Sequence, residues 1–500
     1  MCSLAESALG GTPANYQGDL VASTTSRCLA LFASWACAGL ALGACGSDEA
    51  ATTTSNATAA TSTEASNAQS ETSAAATDSV ATAAEDTSVG SAPVATEVPS
   101  PSVATTATTD GPVSAANKEP IVLAAFIDET GPSAGDGPAV VKAVVAWAKY
   151  RTENGGLNGH PITVDVTDTK GDAATALAAI DSAMEKNPLA LILSTSSTET
   201  AMAESLAKTN VPVIGVGYAP AVWGGSIAAF HLECSTAPDT PLPCAIPNAF
   251  TTSTTTGAVV DQQVLGAKAA GATKLAVAAC SEVDSCGRAY PVFEADAKAL
   301  GLDTSAGLVK ISSTASDYTA ECITFVQSGV DFIQVSAAGD AAAKLWSDCQ
   351  DQGYTGILGA SAGSVSGDLI KVEGIKLAGG IQGFPWWVDD APVAQFRDEM
   401  EAGGVSKDDY SSPTVTAMYA SLQLFAKANA DLPDSPTAAD ALAAMYTING
   451  ETLDGLLPPV TFTEGQTAPA RPCFWPYSLT DGVFTNPLGG LMFECYPPQS

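Results

Sequence analysis

The chain has 500 residues, enough for more than one domain, and its 54 acidic against 20 basic side chains give a formal net charge of −34. So few cations cannot neutralise a row of phosphates, which excludes a nucleic-acid partner, and the acidic excess fits an anionic lipid surface poorly. The composition is that of an acidic, soluble, exported protein.

Met1 to Ser26 shows no apolar periodicity and carries only acidic charges, which is unusual ahead of a secretion signal. A translation start near Val21 rather than Met1 is expected. Leu29 to Ala44 is a run of apolar and small residues preceded by Arg27. It is shorter than the roughly 20 residues of a membrane span and fits the apolar region of a signal peptide. Leu42-Gly43-Ala44-Cys45, followed by Gly46-Ser47, looks like a bacterial lipobox, in which the thiol of Cys45 accepts a diacylglycerol. Residues 1–45 are therefore expected to be a signal peptide. Residues 46–118, mostly Ala, Ser and Thr, bury too little to offset their ordering entropy and are expected to be a disordered tether. The body would stand outside the cytoplasmic membrane, lipid-anchored to its outer face and touching it only through that anchor.

The first strand is Ile121 to Ile127, broken at Glu129-Thr130-Gly131-Pro132. A helix follows Pro138, with Val141, Val144, Val145 and Ala148 on one apolar stripe, and ends at Asn154-Gly155-Gly156. Ile162, Val164 and Val166 alternate with polar residues in a second strand. Asp172 caps a helix carrying Leu177, Ile180 and Met184, and Leu189 to Leu193 is a strand apolar on both faces. A further helix and the strand Val211 to Ile214 complete a strictly alternating βα series, the pattern of a parallel doubly wound sheet.

Gly257 to Gly271 reads as a helix and opens a second series. Its strands are Lys274–Ala279, Gly307–Ile311, Asp331–Val335 and Gly356–Leu358; its helices are Gly287–Leu300, Tyr318–Gln327 and Gly339–Asp351. Helices near Val393–Glu401, Thr414–Ala428 and Thr437–Tyr446 follow, then a late strand at Val460-Thr461-Phe462.

Of the 12 cysteines, Cys2, Cys28 and Cys37 precede the expected cleavage and Cys45 takes the lipid. The even remainder suits disulfides in an exported chain. Local closure favours Cys234–Cys244, Cys280–Cys286, Cys322–Cys349 and Cys473–Cys495 among many possible pairings. A zinc site is the rival reading, but no C-x-x-C occurs and the chain has only 2 histidines, so neither metal nor cofactor is expected.

The order of these elements, with Thr130-Gly131-Pro132, Asn154-Gly155-Gly156-Leu157-Asn158-Gly159 and Ser196-Ser197-Thr198 where they stand, resembles the periplasmic binding proteins of branched-chain amino acid and amide ABC transporters. The resemblance runs from about Glu119 to the C-terminus. It implies an α/β fold of two Rossmann-like lobes, each a parallel sheet flanked by helices, joined by a three-strand hinge (periplasmic binding protein type I). Residues 119–247 plus 382–470 would form one lobe and 248–381 plus 471–500 the other. It further implies a monomer that closes its lobes around an amino acid, amide or other small organic acid and hands it to an ABC permease. A lipoprotein that senses its ligand and signals to a partner is the alternative.

In open parallel α/β sheets ligands bind beyond the carboxyl ends of the strands. That rule gives Ser133, Ser194, Thr195, Ser196, Gly217, Tyr218, Ser336 and Ser361 as candidate ligand-binding residues. The resemblance assigns the hold on an α-carboxylate to Thr195, Ser196, Gly217 and Tyr218. Family members that bind amino acids commonly place a tyrosine and an acid beside the ammonium. The matching positions here read Ser336-Ala337-Ala338 and Ala360-Ser361-Ala362, so a buried ammonium would lack its partner. Tyr218, Trp223, Trp386 and Trp387 are available either as aromatic walls for a neutral or apolar-bodied acid or as core and hinge packing.

Gly359-Ala360-Ser361-Ala362-Gly363 matches the G-x-S-x-G nucleophile elbow of a secreted serine hydrolase, with Ser361 as nucleophile. In that fold the histidine follows the serine, whereas His160 and His231 both precede Ser361. His160, in the Asn158-Gly159 turn, is expected to be a solvated surface residue. A binding protein rather than an enzyme is the reading these residues favour.

Overall fold

The computed structural model of the protein describes residues 117–131, 134–195, 197–216, 220–223, 246, 248–251, 256–282, 286–287, 290–360, 364–365, 367, 369–466 and 473–495. The expected signal peptide, Cys45, nearly all of the tether and the Cys234–Cys244 pair lie outside these residues.

Ile121–Ile127 (β1) is apolar at every position and feeds two cores. Leu123, Ala125 and Ile127 face one, and Ala124 and Phe126 the other, as strand alternation dictates. Ile162–Asp168 (β2), Ala190–Ser194 (β3), Val213–Gly215 (β4) and Ala249–Thr251 (β5) join it in a parallel sheet of order β2-β1-β3-β4-β5. Helices Gly137–Glu153 (α1), Ala173–Met184 (α2), Glu199–Thr209 (α3) and Pro220–Trp223 (α4) link its strands.

The buried stripe of α1 is Val140, Ala143, Val144 and Trp147, one residue out of phase with the expected one, and Val145 is 47 % exposed. Trp147 is the largest apolar side chain on the helix. Turning it onto the sheet outweighs exposing one valine. On α2 the buried face is Ala176, Ala179, Ile180 and Ala183, with Leu177 turned outward. Small side chains there let the helix lie close to the strands.

The second sheet repeats the first. Leu275–Cys280 (β6), Leu308–Ile311 (β7), Phe332–Ser336 (β8), Ile357–Ala360 (β9) and Lys376–Ile381 (β10) run parallel in the order β7-β6-β8-β9-β10. Cys473–Thr480 (β11) and Val483–Thr485 (β12) extend it as an antiparallel hairpin, and Glu494–Cys495 (β13) pairs with the start of β11. Thr256–Ala269 (α5), Tyr290–Ala299 (α6), Thr319–Gln327 (α7) and Gly339–Asp351 (α8) belong to this part of the chain. A Cβ on Gly266 of α5 would stand 2.3 Å from the Cα of Gly379, so only glycine allows α5 this close to β10. Disulfides Cys280–Cys286, Cys322–Cys349 and Cys473–Cys495 are formed as local closure predicts.

After β10 the chain returns to the first sheet as Ala391–Ala402 (α9), Lys407–Tyr410 (α10), Pro413–Ala428 (α11) and Ala438–Met445 (α12). Ser421 on α11 donates to the carbonyl of Gly215 on β4 (3.0 Å). Glu399 on α9 is 1 % exposed and draws three neighbours together. Its carboxylate accepts from Tyr419 Oη (2.9 Å), Gln423 Nε2 (3.1 Å) and Gln395 Nε2 (2.8 Å). Arg151 on α1 hydrogen-bonds Gln423 from the other side. Burial, and then the Glu399 charge, push the Tyr419 phenol well above its ordinary range.

The expected late strand at Val460-Thr461-Phe462 does not form. Val460 makes an isolated antiparallel bridge to Glu451, and the Phe462 ring packs edge-on against Phe250 at 4.9 Å. Aromatic packing, rather than a sheet ladder, fixes that passage.

Candidate functional site

Both sheets change winding direction between their first and third strands, β1/β3 and β6/β8, the switch points beyond which ligands collect in open α/β sheets. In register Ile127 lies beside Ser194, and Leu193 beside Gly215, which brings the loops after β1, β3 and β4 side by side. Likewise Ala279 lies beside Ser336 in the second sheet.

Asp128 follows the apolar β1 directly and is 1 % exposed. Its carboxylate accepts from Thr169 Oγ1 (2.5 Å), the Gly171 amide (2.9 Å) and Ser197 Oγ (3.5 Å). Its own amide donates to the carbonyl of Ser194 (3.3 Å). One buried acid thus ties the loops after β1, β2 and β3. A Cβ on Gly137 would fall 1.9 Å from the Asp128 carbonyl oxygen, so α1 must begin on glycine.

Asp168, at the end of β2, accepts from the amides of Glu129 (3.0 Å), Thr130 (3.2 Å) and Lys170 (3.0 Å) and from Thr130 Oγ1 (2.5 Å). Slight burial works against its charge, but these donors together outweigh it and hold the carboxyl below its ordinary range. Both aspartates are occupied in shaping loops.

Ser194 is buried at the tip of β3. Thr195 is fully buried, with its hydroxyl paired to Thr198 Oγ1 and 4.0 Å from Met202 Sδ, so its side chain serves the entrance of α3. Glu199, also fully buried, occupies the first turn of α3, where the helix dipole favours an acid.

In the second sheet Ser336 is half-buried and leads to Ala337 and Ala338, and β9 ends at Ala360. None of these described positions carries charge. Glu282, two residues past β6, accepts from Ser312 Oγ (2.6 Å) and the Ser313 amide (3.0 Å), which draws its carboxyl down to about 2. The Ser281 amide bonds to Ile311 (2.8 Å), and Ser364 Oγ donates to the Ala337 carbonyl. The Cys280–Cys286 disulfide pins the same corner.

Of the predicted ligand-binding residues, Ser194, Thr195 and Ser336 stand at strand ends; Ser133, Ser196, Gly217, Tyr218 and Ser361 lie outside the described residues. Asp128 and Asp168 were not singled out from the sequence. The signal for Asp128 was an acid immediately after an apolar strand.

Trp386 is 3 % exposed and meets Trp387 and Phe484 edge-on, while Trp387 stacks on Phe484 at 4.6 Å. These indoles pack the passage after β10 against the C-terminal hairpin. His160 is not a solvated turn residue: it is fully buried, with Nδ1 2.7 Å from the Glu119 carbonyl and Nε2 2.9 Å from the Pro433 carbonyl. Each ring nitrogen faces a backbone carbonyl, so the side chain is engaged in joining these two segments. It also lies ahead of β2, at the amino end of the sheet. The segments at 119 and 433, distant in sequence, cover it.

The family model described as "Periplasmic binding protein" matches residues 120–482. None of the curated protein sequences matches. Among solved structures, a fatty acid ABC transporter substrate-binding protein from Thermomonospora curvata is 22% identical with a TM-score of 0.57, over 74% of this chain and 91% of that one. A leucine binding protein from Thermotoga maritima is 15% identical with a TM-score of 0.54, over 73% and 97%. An ABC transporter solute binding protein from R. palustris, in complex with 4-hydroxybenzoate, is 18% identical with a TM-score of 0.55, over 73% and 95%. Likeness at these identities shows a shared fold.

Proposed function

Because the chain belongs to the periplasmic binding protein family, we propose that it captures a small organic solute outside the cytoplasmic membrane and delivers it to an ABC permease. The observation that carries this reading is the repeated strand order, two sheets each ending at a switch point in hydroxyl- and amide-rich loops. Residues 119–247 plus 382–470 and 248–381 plus 471–500 act as the two lobes, except that β5, Ala249–Thr251, pairs in the first sheet and so goes with the first lobe. Ligand shifts their open–closed equilibrium through contacts made better in the closed form.

Ser133, Ser194, Ser196, Gly217, Tyr218, Ser336 and Ser361 contact the ligand, and Thr195 contributes through its backbone. The uncharged ends of β8 and β9 favour a carboxylate or amide on an apolar body over a free amino acid, whose ammonium would be buried without a partner. The fatty-acid and 4-hydroxybenzoate proteins of the same fold bind ligands of that kind. Cys45 carries the lipid, and residues 46–118 are the leash between membrane and body.

The test is a thermal-shift screen of aromatic acids, fatty acids of several lengths, amides and amino acids. A true ligand at a hundred times its dissociation constant stabilises by about 2.7 kcal/mol. An acid lacking an ammonium is expected among the hits. A response confined to amino acids would overturn the ligand class, and a protein that binds none of these and no purified permease would overturn the transport role.

A further inference from the structure

The segment closed by Cys473–Cys495 lies against the passage after β10 and approaches described residues on both sides of it. Its strand β11 pairs along the whole of β10, from Lys376–Thr480 to Ile381–Trp475, and β10 leads straight into the passage carrying Trp386 and Trp387. Phe484 on β12 stacks on Trp387 and meets Trp386 at 5.1 Å. That passage is held to α9 in turn, because Arg397 Nη1 donates to the carbonyls of Trp386 (2.9 Å) and Val388 (2.7 Å).

Further along, the same segment reaches the part of the chain that packs with the first sheet. A Cβ on Gly490 would stand 3.0 Å from the carboxylate of Asp390, the residue just before α9. A Cβ on Gly455, in the turn Leu453–Gly455, would stand 3.7 Å from Leu491. The segment is stiff. Trp475 Nε1 donates to the Leu491 carbonyl (3.0 Å), and Asn486 Nδ2 lies 2.8 Å from the carbonyls of both Gly490 and Met492. At its base Gln262 of α5 donates to the Cys473 carbonyl (3.3 Å), which ties it to the first helix of the second series.

We propose that residues 473–495 form a strap across the hinge, with Cys473–Cys495 as its clasp and the Phe484–Trp387 stack as its grip, and that the strap limits how far the lobes open. This rests on the two-lobe closure proposed above but not on any ligand. A rigid lobe edge would need neither the ring stack on the passage nor contacts reaching Asp390 and Gly455. A segment that touches both ends of a bending passage resists the bend in proportion to its own stiffness.

The test measures the separation between spin labels carried by unnatural amino acids at the exposed positions Leu177 on α2 and Ile323 on α7, in the full chain without ligand. Phe484→Ala and the Cys473→Ser/Cys495→Ser pair should each broaden the distance distribution toward longer values. Val483→Ala, at an exposed neighbour on the same strand, should leave it unchanged. Phe484→Leu, which keeps an apolar side chain and preserves folding, should broaden it less than Phe484→Ala. Unchanged distributions in all strap variants, with tryptophan fluorescence reporting a loosened Trp387, would overturn the proposal. A failed ligand screen would leave it standing, so the two readings fail separately.

Discussion

The two sheets share one strand order and are held together by different chemistry. Every disulfide among the described residues lies in the second-sheet part of the chain: after β6, between α7 and α8, and at the base of the C-terminal hairpin. The first-sheet part uses buried polar knots instead: Asp128 among three loops, Glu399 among three helices, and His160 between two distant segments. Covalent staples fail to reductant, whereas buried hydrogen bonds do not. The same topology can therefore be stabilised in two ways, and only the second half is open to reduction.

The sharpest way to break that contrast is Glu399→Ala, which strands the buried Tyr419 hydroxyl and removes the shared acceptor of Gln423 and Gln395 beside Arg151. It should cost about 4 kcal/mol in chemical denaturation, an effect that reductant does not change. Next, Cys322→Ser/Cys349→Ser opens a bridge between residues 27 apart and should cost about 3 kcal/mol, the loss vanishing when wild type is compared in reductant.

His160→Leu removes the buried ring that joins the Glu119 and Pro433 carbonyls and should cost about 2 kcal/mol, with faster proteolysis near Glu119. The smallest effect is at Glu282. Its folded value of about 2 lies below the ordinary 4.5, so the linkage is intact above pH 4.5 and is lost as pH falls toward 2. A carboxyl titration by NMR should find it there, and Ser312→Ala should move it upward.

Much of this was legible in the sequence. Alternation of apolar strands and amphipathic helices located both βα series, and three local cysteine pairs closed as expected. Phase was harder to read. The valines at 141, 144 and 145 suggested one stripe of α1, but Trp147 decided which face turned inward. Contacts between distant segments carried no local signal. His160 looked like a turn residue until the segments at 119 and 433 covered it, and Phe462 looked like a strand residue until Phe250 claimed its ring. At the candidate site the positions of the loops could be foreseen, but not which hydroxyls those loops spend on themselves: Thr195 answers Thr198, and Ser312 answers Glu282.

The proposed function requires capture of a ligand between the carboxyl ends of both sheets. Amide hydrogen exchange with and without a thermal-shift hit tests this most directly. Protection should rise together after β1 and β3, at Asp128 and Ser194 to Thr198, and after β6 and β8, at Ser281, Glu282, Ser336 and Ala337. Protection confined to one sheet, or to surfaces away from these strand ends, would contradict it.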